Sequence, residues 1–166
     1  DAAFAAACHD IGKVSPSFVE KLRRDCTSGM EHIPKQAISP ELEKQWGGHA
    51  GVSQAAAKAL GAPAWIAEIV GQHHGFSPQL GGKQADAEVF GGSVWQAQRA
   101  ALVQELQQRL GMLWPHIASA AQARLVAGLT SVADWIGSGR HFEDPTQPWQ
   151  GLIDTALRSM VATESG

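Results

Sequence analysis

The chain has 166 residues, of which 44% are hydrophobic and 17% are charged, and its formal net charge at pH 7 is -3. This length and apolar content suffice for one buried core, so we expect residues 1–166 to form a single domain. The composition excludes a strongly basic nucleic-acid-binding protein. Any contact with an anionic polymer must therefore be local or depend on bound cations.

The sequence indicates neither membrane insertion nor a disulfide framework. No apolar run reaches the roughly 18 residues that span a bilayer, and no signal-peptide pattern opens the chain. The two cysteines, Cys8 and Cys26, form no CxxC metal motif, so we expect a cytoplasmic protein. The opening DAAFAAACHD lacks an initiator Met and resembles the interior of a protein, which leads us to expect an upstream segment.

Short helices are predicted in the first half of the chain. The Ala-rich opening predicts a first helix that Gly12 ends. A second helix is expected over 16–24, and a helical turn over 41–45 within a segment that is otherwise loop. Helices over 49–60 and 63–74 follow, and a glycine ends each of them.

Longer helices are predicted in the second half. A glycine-rich segment, 75–92, predicts an exposed loop, after which Ser93 is expected to cap a helix that ends at 110. A long helix over 115–138 and a last helix over 149–161 complete the chain. Large aliphatic residues at helical spacing predict one buried face on the long helix: Leu125, Leu129, Val132 and Ile136. Val126, Ala127 and Ala133 widen this face, so much of the helix is expected to be buried. No alternating strand pattern occurs, so the predicted fold class is all-α, with about six or seven helices.

Candidate metal ligands are concentrated in four stretches, namely ACHDIGK at 7–13, GGHAG at 47–51, GQHHG at 71–75 and ADW at 133–135. Imidazole and carboxylate groups bind first-row divalent metals. A mixed nitrogen and oxygen set suits iron, manganese, cobalt, nickel or zinc better than magnesium or calcium. Six candidate ligands suffice for about two ions: His9, Asp10, His49, His73, His74 and Asp134.

The spacing favours a site assembled from several elements rather than from one helix. Adjacent helical residues diverge by about 100°, so His73 and His74 can face one metal only at a helix end, which Gly75 would supply. Asp134 interrupts an otherwise apolar helix, where an unpaired carboxylate would cost several kcal/mol. A bound cation would neutralise that carboxylate.

These motifs carry a family resemblance. HDIGK followed by ADW is typical of the HD phosphohydrolase superfamily, in which separated His, His-Asp and Asp elements lie on a helical bundle. With GHAG, GQHHG and LVAGLTSVADWIGS, the sequence resembles the HD nuclease domain of the CRISPR-associated type I interference helicase-nuclease. The resemblance covers 7–138 apart from the loops, with the motifs in the family's order. It implies a compact HD-superfamily bundle with a two-metal site that cuts single-stranded DNA.

The resemblance also implies a role for each ligand. Asp10 bridges the two metals, and His9 and Asp134 complete the first site. The second site has three further ligands: His49, His73 and His74. The family has one more metal-binding histidine on a helix before the HD pair, whereas no histidine precedes His9 here. Either an upstream segment supplies that ligand, or the first site of this chain is incomplete.

Two further residues are candidate substrate contacts. Lys13 lies one turn after the HD pair, where its charge would steady a phosphate or the charge of the transition state. Ser138 lies one turn after Asp134 and is expected to have a weaker role of the same kind. A solvated lysine and a serine that merely ends a helix are the alternatives.

Three functions remain open. By resemblance, the chain is a nuclease that acts with a helicase domain, on the same or a separate chain, and with a CRISPR RNA-guided surveillance complex. The second is an HD phosphohydrolase acting on nucleotides, which needs a closed pocket rather than an open groove. The third is an inactivated metal-site scaffold that binds partner proteins. No GxxxxGK[ST] motif is present, so ATP is not expected to be a substrate of this domain.

Overall fold

A computed structural model describes residues 2–25 and 40–139, together with Gly151 and Arg158. The described residues form seven α-helices and two 3-10 turns, and no strand occurs among them. The predicted all-α class and helix number are thereby confirmed. The last predicted helix, over 149–161, lies outside the described residues apart from Gly151 and Arg158.

The helices are α1 (Ala2–Ala7), α2 (Pro16–Asp25), α3 (Pro40–Gln45), α4 (Gly48–Ala59), α5 (Ala64–Gly71), α6 (Gly92–Leu110) and α7 (Ala120–Gly137). The 3-10 turns are Ile11–Lys13 and Glu88–Phe90. None of the helices in the described ranges is both long and apolar enough to cross a bilayer. The chain divides into two compact units, Asp1–Thr130 and Ser131–Gly166.

Helix α4 is the central element of the first unit. Its contacts with α5 and with the 3-10 turn Ile11–Lys13 are the most extensive between any two described elements. It is rich in buried alanine, glycine and serine, which allow neighbouring backbones to approach closely. Two hydrophobic clusters share this helix, because Ala56 and Ala57 belong to the larger cluster and Val52 and Ala55 to the smaller.

The larger cluster joins α1, α4, α5 and the first part of α7. Phe4 and Ile66 are fully buried in it, and the Phe4 ring contacts that of Trp114 edge to face, with centroids 4.9 Å apart. Complete burial of a side chain of this size contributes about 1.5–3 kcal/mol. The cluster fixes the ends of α1 and α5, which immediately precede the candidate ligands.

The predicted start of α6 is wrong. The helix begins at Gly92, and its N-cap is Gly91 in the left-handed conformation (φ 93°) rather than Ser93. A Cβ at Gly91 would lie 2.5 Å from the ring of Trp95, so only glycine fits this position. The helix therefore begins before Ser93, the residue that was expected to cap it.

The predicted start of α7 is also wrong, because the helix begins at Ala120 and not at Pro115. Ser119 caps this helix, because its hydroxyl accepts a hydrogen bond from the backbone N–H of Gln122 at 3.2 Å. The Gln122 side chain in turn accepts one from the Ala118 amide at 2.8 Å. This reciprocal capping satisfies amides that the helix itself leaves free.

The buried face of α7 agrees with the prediction only in part. Val126 is buried as predicted, and Val132 and Ile136 are half-buried, whereas Ala133 is exposed. Leu125 and Leu129 are 64% and 51% exposed. The buried residues of the helix are smaller: Ala123, Val126 and Thr130. The Thr130 hydroxyl donates to the Val126 carbonyl at 2.9 Å, so its burial leaves no unsatisfied donor. On this helix, the buried positions are therefore occupied by small and medium-sized side chains, which permit close packing.

Arg99 is the bulkiest fully buried side chain among the described residues. Its Nε donates to the side-chain oxygen of Gln96 at 2.9 Å. Its two terminal nitrogens donate to three backbone carbonyls, those of Val14 (2.8 Å), Ala85 (2.8 Å) and Phe90 (3.1 Å). One side chain thus ties the segment after the first 3-10 turn to the long loop before α6.

We expect Arg99→Lys to destabilise the fold by about 2–5 kcal/mol, because an ammonium group cannot reach three carbonyls in the planar geometry of a guanidinium. Urea unfolding followed by circular dichroism measures the loss. Arg109→Lys is the control, since Arg109 is exposed and its one ion-pair partner among the described residues is Glu105, and this change should alter stability by less than about 1 kcal/mol. Equal stability of the two variants would show that the Arg99 hydrogen bonds contribute nothing.

Candidate metal centre

Five of the six predicted ligands come together in the first unit. His9 and Asp10 lie in the turn after α1, His49 in the first turn of α4, and His73 and His74 in the turn after α5. Asp10 Oδ1 lies 3.6 Å from Nε2 of both His49 and His73. Asp10 Oδ2 lies 3.2 Å from Nε2 of His9. The carboxylate of Asp10 is therefore the centre of the cluster.

Three histidines direct ring nitrogens towards one another. Nε2 of His49 lies 2.9 Å from Nε2 of His74 and 3.4 Å from Nε2 of His73. One ligand nitrogen from each of the three lies within 4.8 Å of the others. The turn after α5 thus allows His73 and His74 to approach the same point, as predicted for a helix end, although α5 ends at Gly71, before the pair.

Backbone carbonyls orient two of the rings. Nδ1 of His9 lies 2.6 Å from the carbonyl of Ala6, and Nδ1 of His73 lies 2.7 Å from the carbonyl of Val70. A carbonyl only accepts hydrogen bonds, so Nδ1 carries a proton in each ring. Ala6 and Val70 lie in the last turns of α1 and α5, where the carbonyls have no intrahelical partner four residues ahead. Both rings are thereby oriented with Nε2 towards the cluster, and in the neutral form each can bind a metal through Nε2.

Asp10 is ionised at neutral pH. Burial favours a higher pKa, but hydrogen bonds with His9 and Lys13, together with their charges, hold the pKa of this carboxyl well below its usual range. Lys13 Nζ donates to Asp10 Oδ2 at 2.5 Å. The other oxygen, Oδ1, is buried and has no hydrogen-bond partner among the described residues.

His49 and His73, which face Asp10 Oδ1, are neutral at pH 7. Burial lowers the pKa of His49 to about 4, and His73 and His74 reinforce this shift against the opposing charge of Asp10. Burial also lowers the pKa of His73. Neutral imidazole is the metal-binding form, so protons do not compete with a metal at these two rings near neutral pH.

This donor set fits a divalent transition metal. Asp10 Oδ1 is anionic and buried and accepts no hydrogen bond within the described ranges, and such an oxygen loses hydration without compensation unless a cation is present. The neighbouring Nε2 atoms of His49 and His73 belong to neutral rings. An anionic oxygen surrounded by neutral nitrogens matches the preference of manganese, iron, cobalt and nickel for mixed ligands.

Asp134 and Ser138 belong to the second unit. Asp134 lies in the last turn of α7, and the Ser138 hydroxyl donates to Asp134 Oδ1 at 3.1 Å. The serine therefore helps to orient the carboxylate of the sixth predicted ligand.

Two residues whose roles were not predicted from the sequence bring Asp10 next to His49. Gly12 does not end α1, because α1 ends at Ala7 and Gly12 lies in the following 3-10 turn. Its amide donates to the buried Ser53 hydroxyl at 2.8 Å. A Cβ at Gly12 would lie 1.9 Å from the carbonyl oxygen of His49. Glycine thus lets the turn that carries Asp10 pack directly on the first turns of α4.

A His-Asp pair and additional histidines at the ends of packed helices define a metal-binding domain of the HD type. The family described as "Cas3, HD domain" matches residues 2–142. The chain therefore belongs to the Cas3 HD domain family of CRISPR-associated nucleases. The family suggested by the sequence motifs is thereby confirmed.

Solved structures of T. fusca Cas3 are similar to this chain. The crystal structure of T. fusca Cas3 has a TM-score of 0.64 and 25% identity, and the match covers 97% of this chain and 20% of that one. Its Cas3-ATP and Cas3-ADP structures have TM-scores of 0.65 and 0.62, each at 24% identity with the same coverage. The chain thus spans about a fifth of the length of T. fusca Cas3. Among curated proteins, none matches the chain significantly.

We expect Gly12→Ala to separate Asp10 from His49, because the added methyl group overlaps the His49 carbonyl. The fold should lose about 1–3 kcal/mol of stability, measured by thermal melting in EDTA. The affinity for manganese, measured by calorimetry, should fall by about tenfold or more, the size of effect seen when the support of a metal ligand is removed.

Gly128→Ala is the matched control. Among the described residues, no atom outside the backbone of α7 itself lies within 4 Å of a Cβ at Gly128, which is in the interior of this helix. Alanine should therefore raise the free energy of unfolding by about 0.5–1 kcal/mol and leave the manganese affinity unchanged. A folded Gly12→Ala variant that binds manganese as tightly as the parent would contradict the role given to this contact.

Proposed function

We propose that this chain is a metal-dependent nuclease domain that hydrolyses phosphodiester bonds of single-stranded DNA in CRISPR type I interference. Membership of the Cas3 HD domain family supports the reaction class. The observation that carries the proposal is the buried Oδ1 of Asp10, which has no hydrogen-bond partner in the described part of the chain and lies beside the Nε2 atoms of His49 and His73. Such an arrangement is suited to metal-assisted hydrolysis.

We assign the site to two divalent transition-metal ions, with iron, manganese, cobalt and nickel as the candidates. Asp10 would bridge them, and His9 and Asp134 would complete the first site. The second site would have three further ligands: His49, His73 and His74. When bound, ions of this class lower the pKa of a coordinated water and stabilise negative charge on a scissile phosphate.

The chain's own side chains would position the substrate and hold the ligands. Lys13 Nζ already lies at the carboxylate of Asp10, where its positive charge would stabilise a phosphate in the transition state. Ser138 is proposed as a second substrate contact, and its hydroxyl also orients Asp134. The carbonyls of Ala6 and Val70 keep two imidazoles in the ligand tautomer.

The partners are proposed from the family. A helicase domain, on the same or a separate polypeptide, would deliver single-stranded DNA, and a CRISPR RNA-guided surveillance complex would select the target. T. fusca Cas3 is about five times as long as this chain, which leaves room there for further domains. We place residues 1–166 as one nuclease domain in the cytoplasm, where the buried free thiol of Cys8 stays reduced.

A substrate panel distinguishes this function from the alternatives. Labelled single-stranded DNA, duplex DNA and nucleoside phosphates are incubated with the chain and with manganese, iron, cobalt or nickel. A nuclease cleaves single-stranded DNA fastest, whereas a nucleotidase releases phosphate only from nucleotides. A chain that binds metal but hydrolyses none of these substrates would be a scaffold, and the proposal would be wrong.

We expect Asp10→Asn to reduce cleavage of single-stranded DNA to background with every metal. An amide is a weak ligand without charge, so it cannot hold two cations together. Asp86→Asn is the control, because Asp86 is an exposed carboxylate in the loop before α6. This variant should cleave single-stranded DNA like the parent. Full activity of Asp10→Asn at saturating manganese would exclude a bridging role for this residue.

A further inference from the structure

A pocket of about 380 Å³ lies beside the metal centre, between α2, α3 and the first turn of α4. Its lining includes three cations, one aromatic ring, one buried carboxyl group and one proposed metal ligand: Lys21, Arg24, Lys44, Phe18, Glu43 and His49. Because His49 forms part of its wall, the pocket is continuous with the proposed reaction centre.

Its positive charges are available to a ligand. Lys21, Arg24 and Lys44 are exposed, and none of them has an ion-pair partner within the described ranges. Arg23 differs, since its Nη1 lies 2.6 Å from Glu20 Oε2 and it does not line the pocket. The amino-terminal end of α4, which has no side-chain cap, adds partial positive charge to the same wall. This concentration of charge in a chain of net charge -3 favours a polyanionic ligand.

Phe18 connects the pocket with the metal centre. Its half-buried ring lies 6.0 Å from the ring of His49, measured between centroids. Lys13 Nζ and Lys21 Nζ lie 5.7 Å and 6.0 Å from the centre of the ring. A partly exposed aromatic ring between cations is typical of surfaces that stack unpaired bases, which a duplex does not expose.

Glu43 supplies an unsatisfied acceptor in the pocket. Its side chain is 5% exposed, and its Oε2 is buried without a hydrogen-bond partner in the described part of the chain. Burial raises the pKa of this carboxyl group, against the opposing hydrogen bonds from Ser17 and Ser15. A buried acceptor of this kind gains a hydrogen bond when a ligand brings an N–H group, and nucleobases carry such groups.

We propose that this pocket binds the nucleotide next to the scissile phosphodiester of a single-stranded substrate. The base stacks on Phe18, and the flanking phosphates lie at Lys21, Arg24 and Lys44. This inference rests on the proposed nuclease function and specifies which surface holds the strand. The combination of stacking and unpaired cations selects unpaired nucleic acid over an acidic peptide, which offers no base to stack.

The positive charges of the pocket are tested by a binding experiment. A fluorescent phosphorothioate decathymidylate, which resists cleavage, is titrated with the manganese-loaded chain, and binding is measured by fluorescence anisotropy over a range of salt concentrations. The Lys21→Ala/Arg24→Ala variant should bind about tenfold more weakly, with a salt slope lower by about 1.4, or about 0.7 for each lost phosphate contact. The control Lys58→Ala/Arg109→Ala removes the same net charge outside the pocket and should bind like the parent. Equal losses in both variants would show that only the overall charge matters.

The aromatic contact is tested by Phe18→Leu, which keeps an apolar side chain but cannot stack. Affinity for the decathymidylate should fall about 5- to 100-fold. The salt slope should stay close to that of the parent, because the variant loses no charge. Thermal melting and manganese content verify that Phe18→Leu is folded and loaded with metal. Lys44→Ala, a single change at an exposed residue, provides a second pocket variant. Parent-like binding by both Phe18→Leu and Lys44→Ala would overturn the proposal.

Two substrates separate failure of the pocket from failure of the nuclease function. The small diester bis(p-nitrophenyl) phosphate needs the metal centre but not a strand-binding pocket. We expect the pocket variants to lower kcat/KM for oligonucleotide cleavage about tenfold more than for the small diester. A parent that hydrolyses neither substrate refutes the nuclease function, and the anisotropy data still decide the pocket. A parent that cleaves both, with variants that lose the two activities equally, refutes the pocket alone.

Discussion

The close packing of the turn after α1 against α4 is the contact on which the candidate metal centre depends. Gly12 has no side chain, so its backbone can lie against the carbonyl of His49 and donate to the hydroxyl of Ser53. Asp10, two residues earlier, is thereby held beside His49. The core of α1, α4 and α5 completes the arrangement, because it places the ends of α1 and α5 next to the start of α4. Small buried residues on α4 make this approach possible.

The charge distribution follows from that packing. One ionised carboxylate, Asp10, lies beside His49 and His73, which burial keeps neutral, and Lys13 donates to only one of its two oxygens. The second oxygen has no hydrogen-bond partner among the described residues, which is a costly state for a buried anion. A fold that maintains such an oxygen beside imidazole lone pairs is organised for a cation. The neighbouring pocket adds positive charge beside this centre, since its lysine and arginine side chains have no ion-pair partner in the part of the chain that the structure describes.

The sequence predicted the chemistry of the centre better than the contacts that position it. The spaced His and Asp motifs indicated candidate ligands, and five of these residues do lie together in the first unit. Arg99 was not predicted, since an arginine within a helix usually lies on the solvated face and only the surrounding carbonyls reveal its burial. The predicted face of α7 was right for Val126 but wrong for Leu125 and Leu129, which are exposed, because aliphatic spacing does not show where close packing requires a small residue such as Ala123. Gly12 suggested a helix stop, whereas its role is a close contact with a residue distant in sequence.

Asp10, His49, His73 and His74 are proposed to bind the same ion. Anomalous diffraction from crystals grown with saturating cobalt, with data collected on either side of the cobalt absorption edge, tests this shared binding most directly. We expect a strong peak in contact with Nε2 of His49, His73 and His74 and with a carboxylate oxygen of Asp10. A saturated crystal whose strongest peak lies elsewhere, or whose peak contacts the histidines without Asp10, would contradict it.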